Sequence, residues 1–190
     1  MKKNTGLIIL GIVVVIVIAL FATFKTNYNN FVELQEEVKE KESTIDVALE
    51  RRADLIPNLV STVKGYASHE EKIINNITSA RENLLKANDI EEKSEANNEL
   101  TKAIDALMVI VENYPDLKAN TNFINLQDEL AGTENRIATA RNDYNTAAKN
   151  YNTAIKKFPG NIIAGMFDFD DVDYFEVEDT KKDVPEVNFE

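Results

Sequence analysis

Residues 7–24 read LIILGIVVVIVIALFATF, eighteen consecutive residues that carry no charge and only one polar side chain, Thr23. A helix of this length rises about 27 Å, close to the ~30 Å thickness of a bilayer's hydrocarbon core. Lys2 and Lys3 precede the run and Lys25 follows it. The run therefore predicts a single membrane-spanning helix. Its anchor residues include Leu7, Ile12, Val15, Ile18, Phe21 and Phe24.

The same run could instead be a secretory signal peptide that is removed. Signal peptides usually have an apolar region of only about 7–15 residues. The best cleavage position, after Ala22, has Leu20 where a small residue is preferred. We therefore expect an uncleaved anchor in a cell membrane.

Charges beside the anchor bear on which side of the membrane the rest of the chain lies. The terminal amine, Lys2 and Lys3 precede the anchor, and Lys25, Lys39 and Lys41 follow it. Three positive groups thus lie on each side, but Lys39 and Lys41 lie farther from the run, so we weigh the difference as about one charge. By that margin the positive-inside rule favours a cytoplasmic N-terminus and an external domain.

Composition restricts the function classes. The chain has 190 residues, a formal net charge of -12 and no cysteine. Such a charge argues against binding nucleic acid or broadly gripping anionic lipids, since both depend on clustered Lys and Arg. The absence of cysteine excludes disulfides, thiolate nucleophiles and cysteine-based metal sites. The length suits one anchor and one domain.

The remainder reads as amphipathic helices, with no Gly or Pro between the anchor and the first of them, residues 27–49. Pro57 predicts a kink or break, after which an apolar helical pattern continues to Leu85. A loop at Asn88 and Asp89 precedes a third helix, which ends near Pro115. We predict an all-α fold in which the transmembrane helix continues into an antiparallel bundle of about four helices.

The fourth helix shows a seven-residue repeat that is typical of coiled-coil packing. Gly132 lies within it and predicts a close approach of a neighbouring helix. One line of the repeat is large, at Phe123, Leu130, Ile137, Tyr144, Tyr151 and Phe158. The other is mostly small, at Leu126, Thr133, Ala140, Ala147 and Ala154.

The C-terminal part differs in composition. Residues 165–190 contain ten acids against Lys181 and Lys182, so they carry -8 of the total charge. This stretch is either an acidic disordered tail or a segment that docks on the bundle or a partner through Phe167, Phe169, Tyr174 and Phe175. We divide the chain into an anchor (1–26), a helical bundle (27–160) and an acidic, aromatic-containing segment (161–190).

No pattern for catalysis is found. Phosphate-binding glycine motifs are absent, and the single histidine, His69, has Gly65 and Ile73 at the helical i±4 positions. A carboxylate metal site in a bundle normally uses a Glu-x-x-His pair on each of two helices. We therefore predict no catalytic, cofactor-binding or metal-binding residue. The charged groups near apolar positions are either solvated or form interhelical ion pairs: Arg51, Arg52, Asp54, Asp128, Glu129, Glu134, Arg136 and Arg141.

Three stretches resemble the bacterial LemA family. They are RRADLIPNLVSTVKGYASHE (51–70), NFINLQDELAGTENRIATARNDYN (122–145) and YNTAIKKFPGNIIAGMFDF (151–169) followed by YFEVED. The resemblance implies a membrane-anchored helical bundle without established catalytic residues, and a cytoplasmic domain, opposite to the charge count. The residues that match, interpreted as structural or assembly determinants, are Arg51, Arg52, Asp54, Pro57, Asn58, Gly65, His69, Gln127, Glu129, Gly132, Glu134, Asn135, Arg136 and Arg141.

These observations favour a single-pass membrane scaffold or assembly protein whose helical domain binds other membrane proteins or copies of itself. Two other classes remain open. One is a hydrolase or metal-dependent enzyme whose carboxylates and His69 meet between helices. The other is a regulatory module that responds to envelope stress.

Overall fold

The computed structural model describes residues 2–67 and 69–176, with side chains from Gly6 onward. The regular structure of these residues is helical, which confirms the all-α prediction. Two short helices accompany four long ones. The helices are α1 (Lys2–Lys64), α2 (Glu71–Lys86), α3 (Ile90–Val111), α4 (Pro115–Lys118), α5 (Thr121–Lys156) and α6 (Gly160–Met166).

The anchor forms the N-terminal part of α1. This helix is long and apolar enough to cross a membrane, and the residues of its apolar window are not buried in the protein. Leu7, Ile12, Val15, Ile18 and Phe21 are all exposed, while Phe24 is half-buried. A continuous apolar surface without protein contacts suits contact with lipid tails.

Pro57 does not break α1, so of the predicted kink or break the break is wrong. The helix continues for two turns beyond it and ends at Lys64. A proline cannot donate to the carbonyl four residues earlier, which here belongs to Ala53. Arg81 of α2 donates its Nε–H to that oxygen at 2.8 Å, so the carbonyl keeps a partner. The break lies instead at Gly65, where the amides of Tyr66 and Ala67 both bond to the Val63 carbonyl.

The predicted loop at Asn88 and Asp89 is confirmed. Asp89 caps α3 by accepting the Glu92 amide at 2.8 Å, and the Glu92 carboxylate accepts the Asn88 amide at 2.9 Å. The carboxylate accepts the amide of the residue before the N-cap, so the pair differs from a capping box by one position, and both bonds supply acceptors to amides that have no partner inside the helix.

Contacts divide the chain into two compact units. The first consists of residues 1–40 and 146–172, and the second of residues 41–145 and 173–190. In the described part of the second unit, the α5 repeat supplies the core residues Phe123, Leu130, Ile137 and Tyr144. Gly132 is exposed, and among the described residues no atom beyond its own stretch of helix lies within 4 Å of where its Cβ would be, so no helix of this chain makes the predicted close approach.

In the first unit, Tyr151 continues the large line of the repeat and is fully buried. Phe158 does not, and is 82% exposed, because α5 ends at Lys156 and the helical repeat ends with it. Gly160, two residues later, packs closely against the core instead. A Cβ at this position would lie 2.7 Å from the Ala154 carbonyl oxygen and 2.8 Å from the Phe31 ring.

Three of the four C-terminal aromatics pack against the protein, while Tyr174 is exposed. Phe167 and Phe169 pack against Tyr28 in the first unit, with ring centroids 5.2 and 5.6 Å away. Phe175 is buried in the second unit. The alternative of a wholly disordered tail is therefore wrong for residues up to 176, and residues 177–190 lie outside the described part.

Candidate binding groove and buried polar cluster

A buried polar cluster in the second unit is centred on Arg52. Its side chain comes from α1 and is 4% exposed. Its Nη1 lies 2.5 Å from the Asn97 Oδ1 of α3 and 2.6 Å from the Glu134 Oε2 of α5. Burial lowers the pKa of the guanidinium, while Glu134 and Asp105 oppose that shift. Three helices thus meet at one cation, which restricts their relative register.

A second buried cation, Lys93 of α3, contacts two carboxylates of α1. Its Nζ lies 2.9 Å from Glu42 Oε1 and 2.7 Å from Asp46 Oδ1. Burial would lower the pKa of the amine, but the bonds to Asp46 and Glu42 outweigh it and raise the pKa above its ordinary value. The ammonium form is therefore the one that this site holds.

The sequence reasoning missed Lys93 and Asn97, although a signal was present. Apart from Ser94 and Ala96, the buried residues of α3 follow alternating steps of three and four, and Lys93 and Asn97 both lie on that line: Ile90, Lys93, Asn97, Leu100, Ile104, Leu107 and Val111. A polar residue at a position that helical spacing directs inward must find a buried partner. The spacing could have identified these two as ion-pair or hydrogen-bonding residues.

Two asparagines of α5 were also missed. In the first unit, Asn152 donates to the Val172 carbonyl at 2.8 Å and accepts the Val172 amide at 2.9 Å. In the second unit, Asn145 makes the same pair of bonds to Phe175, at 3.1 and 2.9 Å. Each side-chain amide thus pairs with an extended backbone as a neighbouring strand would. The repeated sequence YNTA, at 144–147 and 151–154, marks both positions.

Tyr144, next to Asn145, fixes the same segment of the second unit. Its hydroxyl donates to the Asp173 carbonyl at 2.8 Å. Burial, with the nearby charges of Glu42 and Asp173, raises the pKa of the phenol to about 12. The group therefore stays protonated and remains a donor well above neutral pH.

An open groove lies between α1 and α5 in the second unit. Beside it, Arg51 Nη2 is 2.8 Å from Glu129 Oε2, with both side chains about half exposed. The groove has a volume of about 640 Å³, and Val47 on its wall is 66% exposed. Small side chains form most of the lining, and Arg51, Arg136 and Asp143 supply charge. The lining residues are Thr44, Val47, Ala48, Arg51, Thr133, Asn135, Arg136, Thr139, Ala140 and Asp143.

The other predicted residues are dispersed. Asp54 and Gln127 are exposed, and Arg141 is half-buried. Exposed Pro57 lines a smaller groove of about 420 Å³ with Val60, Lys64 and Arg81, among others. His69 is exposed in the loop between α1 and α2 and lines neither groove. Within the described ranges, no group of three or more His, Asp or Glu side chains is placed to hold a metal ion.

The fold and these features define a class: a membrane-associated protein whose described part is helical and includes one apolar helix able to cross a bilayer. Residues 41–189 match the LemA family model. The chain therefore belongs to the LemA family, as the sequence resemblance predicted.

Curated relatives agree with this assignment. The chain is 31% identical over 186 residues to magnetosome protein MamQ 2 of Paramagnetospirillum magneticum, covering 84% of this chain and 68% of that protein. It is 28% identical to magnetosome protein MamQ of Magnetospirillum gryphiswaldense, covering 92% and 74%. Protein LemA of Metamycoplasma hominis is 26% identical, covering 81% and 71%.

Proposed function

We propose that this chain is a membrane-tethered assembly protein whose α1/α5 groove binds a helix of a protein partner. The single observation that supports this most is the open groove itself. Exposed Val47 lines the groove together with Ala48 and Ala140. A single exposed apolar residue would be weak evidence for a binding site, because such residues are common on protein surfaces. A helix bound in a groove of this kind contributes a row of apolar side chains at i, i+3, i+4 and i+7.

The lining also selects among helices. Thr133, Thr139 and Ala140 on the α5 wall are small, so an approaching backbone can come close. Arg136 supplies a cationic group to the lining, whereas Arg51 already pairs with Glu129. The expected partner therefore has an apolar stripe and an acidic residue that meets Arg136, since such a charge complements the arginine and sets the register of binding.

Anchoring strengthens such an interaction without additional contacts. A partner in the same membrane meets the groove at a raised effective concentration, so a weak contact is enough for assembly. The partner could be another membrane protein or a second copy of this chain. The relatives named as magnetosome proteins are consistent with a role in a membrane assembly.

Photo-cross-linking in cells tests the groove directly. A photoreactive residue replacing Val47 should capture a discrete adduct, and the same residue replacing Val109, an exposed valine of α3, is the matched control. Adding Arg136→Glu should reduce the adduct several-fold, because it reverses a charge of the lining. Two differently tagged copies would show whether the captured helix belongs to this chain.

The proposal fails if positions 47 and 109 give the same pattern of adducts, or if Arg136→Glu leaves the position 47 adduct unchanged. Repeating the capture after envelope stress distinguishes the regulatory alternative. Adducts that change with stress would indicate a sensor, whereas a constant pattern supports assembly.

A further inference from the structure

Four large apolar side chains in and beside α6, in the first unit, are exposed. Phe158 is 82% exposed, Ile162 56%, Met166 65% and Phe167 45%. They lie on α6 or directly beside it, and α6 itself contains no charged residue. We call these four residues the foot. Scattered apolar residues are normal on a protein surface, but four in ten consecutive positions form a patch that requires a partner.

The foot lies beside the C-terminal end of the apolar run. The Phe167 ring is 5.4 Å from the ring of Phe24, the last residue of the uncharged run, and 5.2 Å from Tyr28 one turn later. Gly160, at the start of α6, lies against Phe31. Phe24 and Phe31 are about 10 Å apart along the helix axis. In this unit, α6 thus runs alongside α1 with its C-terminal end towards the anchor.

Several contacts hold the foot in this position. Asp168 has a φ of 55°, and the amides of Phe167 and Phe169 both bond to the Ala164 carbonyl, so the chain reverses just after α6. The returning segment is fixed by Asp171, which pairs with Lys156 at 2.7 Å. The tip is therefore a built turn with an apolar surface.

From this geometry we propose that the foot inserts into the interfacial layer of the same bilayer that the anchor crosses, as a second membrane contact. Aromatic and apolar side chains beside an anchor are favoured at that level. Lys25 and Lys157 can extend their ammonium groups towards water or headgroups from this end. The inference rests on the anchor and is independent of the α1/α5 groove.

The chemistry of the foot specifies the kind of lipid surface. Asp168 and Asp170 are exposed next to Phe167, so the local charge does not favour an anionic membrane. Burial of apolar area must then provide the attraction. Binding should therefore occur on zwitterionic phosphatidylcholine and should change little with salt, unlike that of a basic surface helix.

The chain contains no tryptophan, so one introduced tryptophan reports its own environment without background. Phe158→Trp and Met166→Trp test the foot. Phe21→Trp within the anchor is the positive control, and Val109→Trp, at an exposed position of α3, is the negative control. Each full-length variant is placed in phosphatidylcholine nanodiscs at one chain per disc, with or without bromine atoms on the acyl chains.

We expect the bromines to quench Met166→Trp to a large fraction of the quenching of Phe21→Trp, with blue-shifted emission, in low and high salt alike. Phe158→Trp should be quenched less, because the start of α6 lies about 10 Å farther along α1 from the anchor. Val109→Trp should be unaffected. The inference is overturned if the foot variants respond as Val109→Trp does and are quenched by aqueous acrylamide. Protection that appears only when two chains share a disc would also overturn it, because the foot would then contact a second copy.

Discussion

Arg51 and Arg52 are neighbours in the chain, yet their side chains have different environments. Arg51 pairs with Glu129 at the surface, where water screens both charges. Arg52 is buried between Asn97 and Glu134, where water cannot replace a lost partner. The stability of the second unit should therefore depend on Arg52 far more than on Arg51.

Arg52→Ala should lower the free energy of unfolding by about 3 kcal/mol, at the low end for a broken buried pair because Glu134 remains partly exposed. Arg51→Ala is the matched control and should cost less than ~1 kcal/mol. Denaturant unfolding of the full chain in detergent, followed by circular dichroism, measures both. Equal losses for the two variants would contradict the burial argument.

At the scale of elements, α1 shows how a helix accommodates an internal proline. Pro57 removes the bond to the Ala53 carbonyl, and Arg81 of α2 supplies a donor to the same oxygen. The neighbouring helix α2 thus completes the hydrogen bonding of α1 at this position. This arrangement keeps α1 helical to Lys64 and also fixes α2 against it.

A double-mutant cycle tests this compensation. Arg81→Ala should cost about 1–3 kcal/mol of unfolding free energy, because the carbonyl loses its donor. In a Pro57→Ala background the cost should fall by about 1 kcal/mol, since the backbone amide that this substitution restores can then bond to the carbonyl itself. Lys86→Ala, an exposed change on the same helix, should be additive with Pro57→Ala. Additivity of Arg81→Ala would show that the two sites are uncoupled.

At the scale of the whole molecule, the anchor and the helical part that follows it are joined by a single continuous helix. One helix, α1, contains both the anchor and residues that form the cores of the two units, such as Phe31 and Ile45. Removal of the anchor after Ala22 would expose the aromatic contact of Phe24 with Phe167 at a new chain end. We therefore expect the anchor to be retained.

Retention can be measured with tags at both ends of the chain. We expect one band that carries both tags, remains in the membrane fraction after alkaline carbonate and is released by detergent. A band that has lost the N-terminal tag and about twenty residues would instead indicate a signal peptide. Treating intact cells with an impermeant label for a single cysteine placed at Val109 would then establish the side of the membrane.

Much of the fold could be read from local patterns. The anchor and the loop at Asn88 were predictable, as were the buried positions Phe123 to Tyr151 of the α5 repeat, because each depends on residues close together in the chain. The predictions at Phe158 and Gly132 were wrong. A repeat cannot show where its helix ends, and a missing Cβ does not show that a neighbour is present.

The site was less predictable than the fold. Charged residues near apolar positions were found, but their partners were not, because Arg52 meets Asn97 across 45 positions of sequence and Lys93 meets Glu42 across 51. Asn145 and Asn152 bind backbone groups of the C-terminal segment. Backbone groups are the same in every residue type, so the sequence of that segment does not identify it as their partner.

The sequence by itself determined that this chain has an apolar helix long enough to cross a membrane, that its described part is helical and that it resembles the LemA family. Each of these follows from the hydrophobicity, the periodicity or the identity of consecutive residues. Only the tertiary structure decided which arginine is buried, how Pro57 is accommodated, where a groove stays open and that the foot lies beside Phe24. The physical reason is that solvent exposure and ion pairing depend on neighbours that folding brings together from distant parts of the chain.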